Sequence, residues 1–395
     1  MVRRLLVRAV VLGTWWAVAA AGPASAITWS GNRALTASGG GYPYRGGLAV
    51  SSSTVVNAIY EQYTLGTFNV WVRRSATSGS TWGTPIQLNR PGVGEAGVPS
   101  IDAYGSAVDA VWVEGDDIIN GFDSIVVYRR STDGGLTWKD PIQISSTTGR
   151  AGFPRVAHAA GGRVLVTWTD EVSGSIYVRV STNSGASFNT QRQLSSTTNK
   201  PLANTSLREG WPSPGVGSSG MFVAYYTASR TLVYKRSADG GITWASTKSL
   251  ATNGEGFEAP SIATVGSTVV AGYAISSGGD VWTVVRRSTD SGSHWGSPIQ
   301  ISAQSSYPSF SPVLAYRSGA FRIVYERCNS NSCSSSDTWY RSSSSGSTWS
   351  TASKASSRHR QYDYPADVDV ATKVLVLYTD YKSTTGGDVY VRQGS

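Results

Sequence analysis

Ser131-Thr132-Asp133-Gly134-Gly135-Leu136-Thr137-Trp138 stands between two alternating runs, residues 125–130 before it and a second run ending at Ile144. Turn residues bounded by period-two runs read as strand, tight turn, strand. Asp133 is placed to accept backbone N–H groups inside the turn, and Gly135 takes positive φ without a Cβ clash. Ser131 adds a second local acceptor, and Trp138 supplies a large apolar body to bury beside the hairpin. One such hairpin says little about a fold. This one recurs.

The pattern Ser-x-Asp-x-Gly-x-Thr-Trp is found, intact or decayed, at 75–82, 131–138, 181–188, 237–244, 288–295 and 342–349. Asn183 and Ser344 take the acidic position in two copies, and His294 replaces the threonine in another. The closing aromatics at 82, 138, 188, 244, 295 and 349 are 56, 50, 56, 51 and 54 residues apart. That period is the length of one four-stranded propeller blade. Two more markers keep step. Leu88, Ile144, Leu194, Leu250, Ile301 and Ala355 each follow a closing aromatic by six residues. Pro43, Pro99, Pro154, Pro212, Pro260, Pro308 and Pro365 precede each unit's first strand, one proline more than there are turns.

The seventh unit is split between the termini. Residues 388–392 match the strand that precedes a turn, and Thr28-Trp29 matches a turn's end, with Leu35 six residues on. The reading is an all-β chain, a single propeller of seven four-stranded blades over residues 27–395. An N-terminal strand pairs into the C-terminal blade, which closes the ring and removes an exposed edge.

The repeated turn resembles the Asp box (BNR repeat) of the sialidase-like superfamily of secreted propellers, and the resemblance spans the whole mature chain. It implies a carbohydrate-directed protein whose boxes lie away from the active site. A sialidase uses an arginine triad for the substrate carboxylate, a Tyr/Glu nucleophile pair and an aspartic acid. Its first arginine stands in an Arg-Ile-Pro motif, where this chain has Tyr42-Pro43-Tyr44-Arg45, so Arg45 is the nearest substitute. Sialidases have six blades, and the remainder of the triad is not evident here.

Propeller topology gathers on one face the loops leading into the first strands and those linking second to third strands, and loops on a rigid scaffold carry function. Tyr42, Val98, Phe153, Trp211, Ala259, Tyr307 and Tyr364 precede the prolines, and the five aromatics among these seven would offer faces suited to stacking on sugars. The competing reading is that they plug contacts between blades. After the second-strand aromatics come Glu61, Glu114, Asp170, Glu171, Glu326 and Asp380, and the loops into blades four and five carry Glu209, Glu255 and Glu258. Glycoside hydrolysis needs two carboxyl groups roughly 5 to 9 Å apart. Glu61, Glu326, Asp380 and Glu209 are the catalytic candidates. Arg358-His359-Arg360-Gln361-Tyr362-Asp363-Tyr364, with Arg208 and Arg155, provides guanidinium groups and tyrosines for an acidic sugar. The same face also suits a non-catalytic lectin or a protein-interaction propeller. Arg73, Arg129, Arg179, Arg286 and Arg392, with Lys235, recur once per blade, which argues for a structural role.

The N-terminus reads as a secretory signal, with Arg3, Arg4 and Arg8, an apolar run at 9–21 and the small-residue site Ala24-Ser25-Ala26. Cleavage after about Ala26 takes the formal charge from +9 to +6, spread without a basic patch, which argues against nucleic acid. The apolar run is too short to span a membrane. In an exported chain Cys328 and Cys333 read as a local disulfide. Three histidines and no nucleotide motif leave no basis for a metal or cofactor, and the chain is read as a monomer.

Overall fold

The computed structural model describes residues 27–36, 46–64, 66–116, 124–146, 150–170, 172–196, 201, 211–218, 220–252, 259–277, 280–302, 307–357, 362–382 and 386–395. These form seven four-stranded antiparallel blades in a propeller ring, with no helix among the described residues. The inner strands, in blade order, are Gly46–Val50, Glu95–Tyr104, Ala151–Ala159, Ser213–Gly217, Ser261–Val265, Ser309–Arg317 and Tyr362–Val370. In this description the upper face carries the loops leading into these strands, and the lower face carries the repeated turns.

Each turn is built as its residues require. Ser131 Oγ accepts from the Gly135 amide at 2.8 Å and donates to Asp133 Oδ1 at 2.7 Å. Asp133 Oδ1 accepts from Leu136 N and Thr137 N at 3.0 and 2.9 Å, and Oδ2 accepts from Thr137 Oγ1 at 2.5 Å. Gly135 sits at φ +87°, a conformation that costs a side-chain-bearing residue energy. Blade six departs from the expected register. Gly346 N bonds Ser343 Oγ at 2.7 Å, so its turn starts at Ser343 with Ser345 in the acidic position, one residue shorter than the others. The expectation of Ser342 and Ser344 is corrected accordingly.

The core lies between blades, because a propeller sheet buries both faces on its neighbours. Ile59, Val70, Val72 and Leu88 of blade one pack with Ile101, Ala110 and Trp112 of blade two. Each such buried aliphatic contributes about 1.5–3 kcal/mol relative to exposure. The recurring arginines reinforce the same joints. Arg129 Nε donates to Lys139 O in its own blade at 2.7 Å, and Nη1 donates to Leu88 O of the preceding blade at 2.9 Å. Arg73, Arg179, Arg286, Arg341 and Arg392 repeat this on Leu35, Ile144, Leu250, Ile301 and Ala355. Arg341 completes a series that sequence reading left one short in blade six.

The ring closes as expected. Arg33–Ala34 pairs with Val391 and Tyr390, and Trp29 bridges Gly394. Trp29 Nε1 also donates to Ser353 Oγ at 2.7 Å. Cys328 and Cys333 form a disulfide in blade six, between the second and third strands.

Where the upper loops feed the inner strands, a bulge sits beside a proline. Val98, Phe153 and Ser311, each just before Pro99, Pro154 or Pro312, have φ of 56°, 53° and 52°. In blade six the equivalent proline is therefore Pro312, not Pro308, and Tyr307 lies four residues ahead of the bulge residue. A bulge shifts which alternate residues face which side. This matters for the site.

Candidate functional site in the central channel

The inner strands surround a cavity of about 220 Å³. Their inward edges would present unpaired amides, which are costly when buried. Side chains of the preceding blade satisfy several of them. Ser100 Oγ accepts from Val156 N at 3.3 Å, Asp102 Oδ2 from His158 N at 2.8 Å and Ser261 Oγ from Leu314 N at 2.9 Å. Asp367 Oδ2 accepts from Leu48 N at 2.8 Å, and Asp369 Oδ2 from Val50 N at 3.0 Å.

Two of these caps are carboxylates on alternate residues of one strand, so they project to the same side. Asp367 is half-buried in the channel wall. Withdrawal from water, reinforced by the Asp369 charge, pushes its carboxyl up to about 7, against the pull of the Leu48 and Val368 amides and of Arg155. Burial also raises Asp369, and Arg317 opposes that rise. Arg317, the last residue of the blade-six inner strand, reaches Asp102 Oδ1 at 3.0 Å and Asp369 Oδ1 at 3.4 Å. Arg155 lines the middle of the channel, its guanidinium 5.3 Å from the Trp211 ring centroid. Lower down, His158 Nδ1 lies 2.5 Å from the buried Asp109 Oδ2, and the Tyr128 hydroxyl bonds the other oxygen of Asp109. The Tyr104 ring packs on His158 at 5.8 Å.

The described residues among those singled out from sequence are dispersed. Glu61 is buried and accepts from Val98 N at 2.7 Å, bracing the blade-two bulge. Glu326 is buried and accepts from Ser311 Oγ at 3.3 Å, bracing the blade-six bulge. Glu114, also buried, is paired with Arg90 at 2.7 Å. Asp380 is buried in register opposite Asp388 and Asp363. Phe153 and Trp211 stack at 4.5 Å inside a buried cluster with Val98 and Val113, so these two aromatics plug a joint between blades. Tyr362 and Tyr364 stack at 5.6 Å, with Tyr381 beside them, near the upper mouth. Tyr307 is exposed. Tyr42, Arg45, Arg208, Glu209, Arg358 and Arg360 lie outside the described residues. Of the described candidate catalytic and sugar-binding residues, Arg155 lines the cavity, as does Ala259 of the pre-proline set.

Sequence reading missed Asp102, Asp367, Asp369 and Arg317. A signal existed in Asp367-Val368-Asp369, since acids are out of place in a strand buried on both faces unless they meet partners there.

Known proteins match this chain by structure alone. No protein-family model matches it, and no curated protein matches it in sequence. A protein of unknown function from Dyadobacter fermentans superposes with a TM-score of 0.54 at 13% identity, covering 93% of this chain and 99% of that one. An ulvan lyase, a polysaccharide lyase, gives 0.56 at 10% identity over 92% and 95%. An intramolecular trans-sialidase from Ruminococcus gnavus gives 0.50 at 14% over 77% and 93%. At these identities the likeness is one of fold.

Proposed function

We propose that this chain is a secreted, carbohydrate-active propeller, a glycoside hydrolase of the sialidase-like kind working in the middle of the central channel, reached from its upper mouth. The observation that carries the reading is Asp367, a half-buried carboxyl in the channel wall held near neutral pKa, in a cavity that Arg155 and Arg317 also line. A strongly perturbed carboxyl in a cavity with arginines nearby is a mark of acid–base sites. Asp367 would donate a proton to the leaving oxygen, the role a raised carboxyl serves in glycoside hydrolysis. Asp369, two residues along a strand and so about 6.6 Å away by Cα spacing, would stabilise developing positive charge. Arg155 suits the carboxylate of an acidic sugar.

The repeated turns, read as Asp boxes, support the sialidase-like kinship, and a trans-sialidase and a polysaccharide lyase among the structural neighbours support the carbohydrate-active reading. Fold alone does not license the activity. Glu61, Glu326 and Asp380 take scaffold roles in this reading. The basic apolar leader and the Cys328–Cys333 disulfide support export, which N-terminal sequencing of the secreted protein would test by a start near Ile27.

The stacked Tyr362 and Tyr364 favour a second reading, a lectin that holds a sugar at the upper mouth without turning it over. A glycan array on the mature protein, followed by product analysis of each hit, separates the two. Products that vanish in Asp367→Asn support the hydrolase. Binding without products supports the lectin, and no binding would sink both in favour of a protein-interaction scaffold.

A further inference from the structure

Arg317 makes an unusual connection. It ends the inner strand of blade six, yet its guanidinium donates to Asp102 Oδ1 at 3.0 Å and to Ala103 O at 3.2 Å in blade two. Blades seven and one lie between those two. The same guanidinium meets Asp369 of blade seven at 3.4 Å. The side chain is thus a crossbar near the lower end of the channel, shared by two carboxylates of different blades. Asp367 is treated differently. It receives the amides of Leu48 and Val368 at 2.8 and 2.7 Å, and Arg155 acts on it only at longer range.

We propose that Arg317 is a positioning residue for the channel site, holding Asp369 ionised so that Asp367 is the carboxyl that carries the exchangeable proton. The inference rests on the channel as the place of chemistry and adds how its two acids are kept in different states. Two like-charged carboxyls on one strand face, left alone, would share a proton and titrate as a pair. A cation fixed to one of them breaks that symmetry.

The groups that face Asp369 and Asp367 can be stated in full for the described residues lining the cavity. Blade six brings Arg317 and Tyr316, blade two brings Asp102, and blade three brings Arg155 and His158. Blade one offers the amides of Leu48 and Val50, while blades four and five line the cavity with small, non-titrating residues such as Ser213, Gly215 and Ala263. Arg317 is the only one of these cations with an ion pair to Asp369. With the crossbar at the lower end of the channel, the proposed ligand would reach Asp367 from the upper mouth.

The test needs no substrate. The mature protein carrying ¹³C at its aspartate carboxyl carbons is titrated by NMR, with Asp367→Asn and Asp369→Asn used to assign the two signals. In Arg317→Gln the Asp369 midpoint should rise by about one pH unit or more, the effect of losing an adjacent cation. Arg317→Lys should bring it back toward the wild-type value. Asp102→Asn removes a neighbouring negative charge and frees Arg317 for Asp369, so it should move the midpoint down. Opposite shifts in the glutamine and asparagine variants support the proposal, since general loosening of the channel would move both the same way. An unmoved Asp369 in folded Arg317→Gln, or shifts of one sign in both variants, would overturn it. If Arg317→Gln does not fold, Arg317→Lys and Asp102→Asn decide the matter, an unmoved midpoint in Asp102→Asn counting against it. Should Asp367 titrate in the ordinary carboxylate range in the wild type, the hydrolase assignment of Asp367 fails, while the Arg317 effect on Asp369 is still read separately.

Discussion

A Cβ added to Gly135 would stand 1.9 Å from Oδ1 of Asn57, on the second strand of the preceding blade. The turn is pressed onto its neighbour, with Asn57 Nδ2 donating to Gly134 O at 3.2 Å. The same contact recurs around the ring, as Gly185 against Tyr128, Gly241 against Val180 and Gly292 against Phe222. The motif that marks each blade therefore also joins it to the previous one. Gly135→Ala combines a positive φ with a backbone-to-side-chain clash, so it should cost about 2–4 kcal/mol. Gly134→Ala, where the nearest atom is the Ser51 hydroxyl at 3.3 Å, should cost less. Denaturant unfolding of the two variants checks the ranking, and equal costs would count against the joint.

Asp133 has a pH signature. Slight burial works against its ionisation, but bonds from Thr137, Ser131 and Leu136 outweigh it and hold the carboxyl at about 2. A depressed folded pKa means the group contributes stability above its unfolded value of about 3.9 and loses it as pH falls toward 2. Asp239 follows the same rule, held at about 2 first by the Thr243 hydroxyl and then by the Thr243 amide and Ser237. Asp133→Ala should thus be less stable than wild type at neutral pH, and the difference should shrink between about pH 4 and 2. Its glycan binding should be unchanged, because the turn lies on the lower face and the proposed ligand reaches the channel from above. Melting temperatures across that range, with a binding assay at neutral pH, test both statements.

Blade four carries a natural defect in the arginine series. Lys235 takes the place of the bridging arginine, and burial lowers its pKa. An ammonium lacks the planar fork that lets Arg129 hold two carbonyls at once. Lys235→Arg should reach the carbonyls of Ala245 and Leu194 and stabilise the chain by about 0.5–1.5 kcal/mol. Arg129→Lys should do the reverse at the joint of blades one and two. A stabilising Arg129→Lys would contradict the role assigned to the series.

The architecture was legible because its signals are local and repeated. A turn whose serine, acid and glycine act within five residues is written in those residues, and repetition supplied the blade count and the split seventh blade. The errors arose where repetition broke down. The deletion before Gly346 displaced the sixth turn by one residue, and Pro308 stood in for Pro312 because nothing local separates a loop proline from a bulge proline. The channel acids were harder. Asp102, Asp367 and Asp369 face the cavity only because bulges at Pro99 and Pro365 re-phase the strands, and no alternation rule carries through a bulge. Their partners lie on other blades, the amides of Leu48, Val50 and His158 on the next blade and Arg317 on blade six. Arg317 and Asp102 are 215 residues apart in the chain, a pairing that only ring closure creates.

Asp367 yields the prediction that joins stability to function. Its carboxyl is pushed up to about 7, first by withdrawal from water and then by the Asp369 charge. In the unfolded chain it would titrate near 3.9. The folded state binds this proton more tightly, so stability falls as pH rises from about 4 to 7 and levels off above. Asp367→Asn cannot ionise and escapes that penalty, while its side-chain oxygen can still accept from Leu48 N. The melting temperature of the variant relative to wild type should therefore climb across that interval, whatever its offset at low pH. Any glycan turnover should be lost in the same variant. In wild type, turnover that depends on protonated Asp367 should decline as pH rises through about 7. A variant whose relative stability is flat with pH would show that Asp367 is an ordinary ionised cap for the blade-one edge, and the proton donor would then have to be sought elsewhere in the channel.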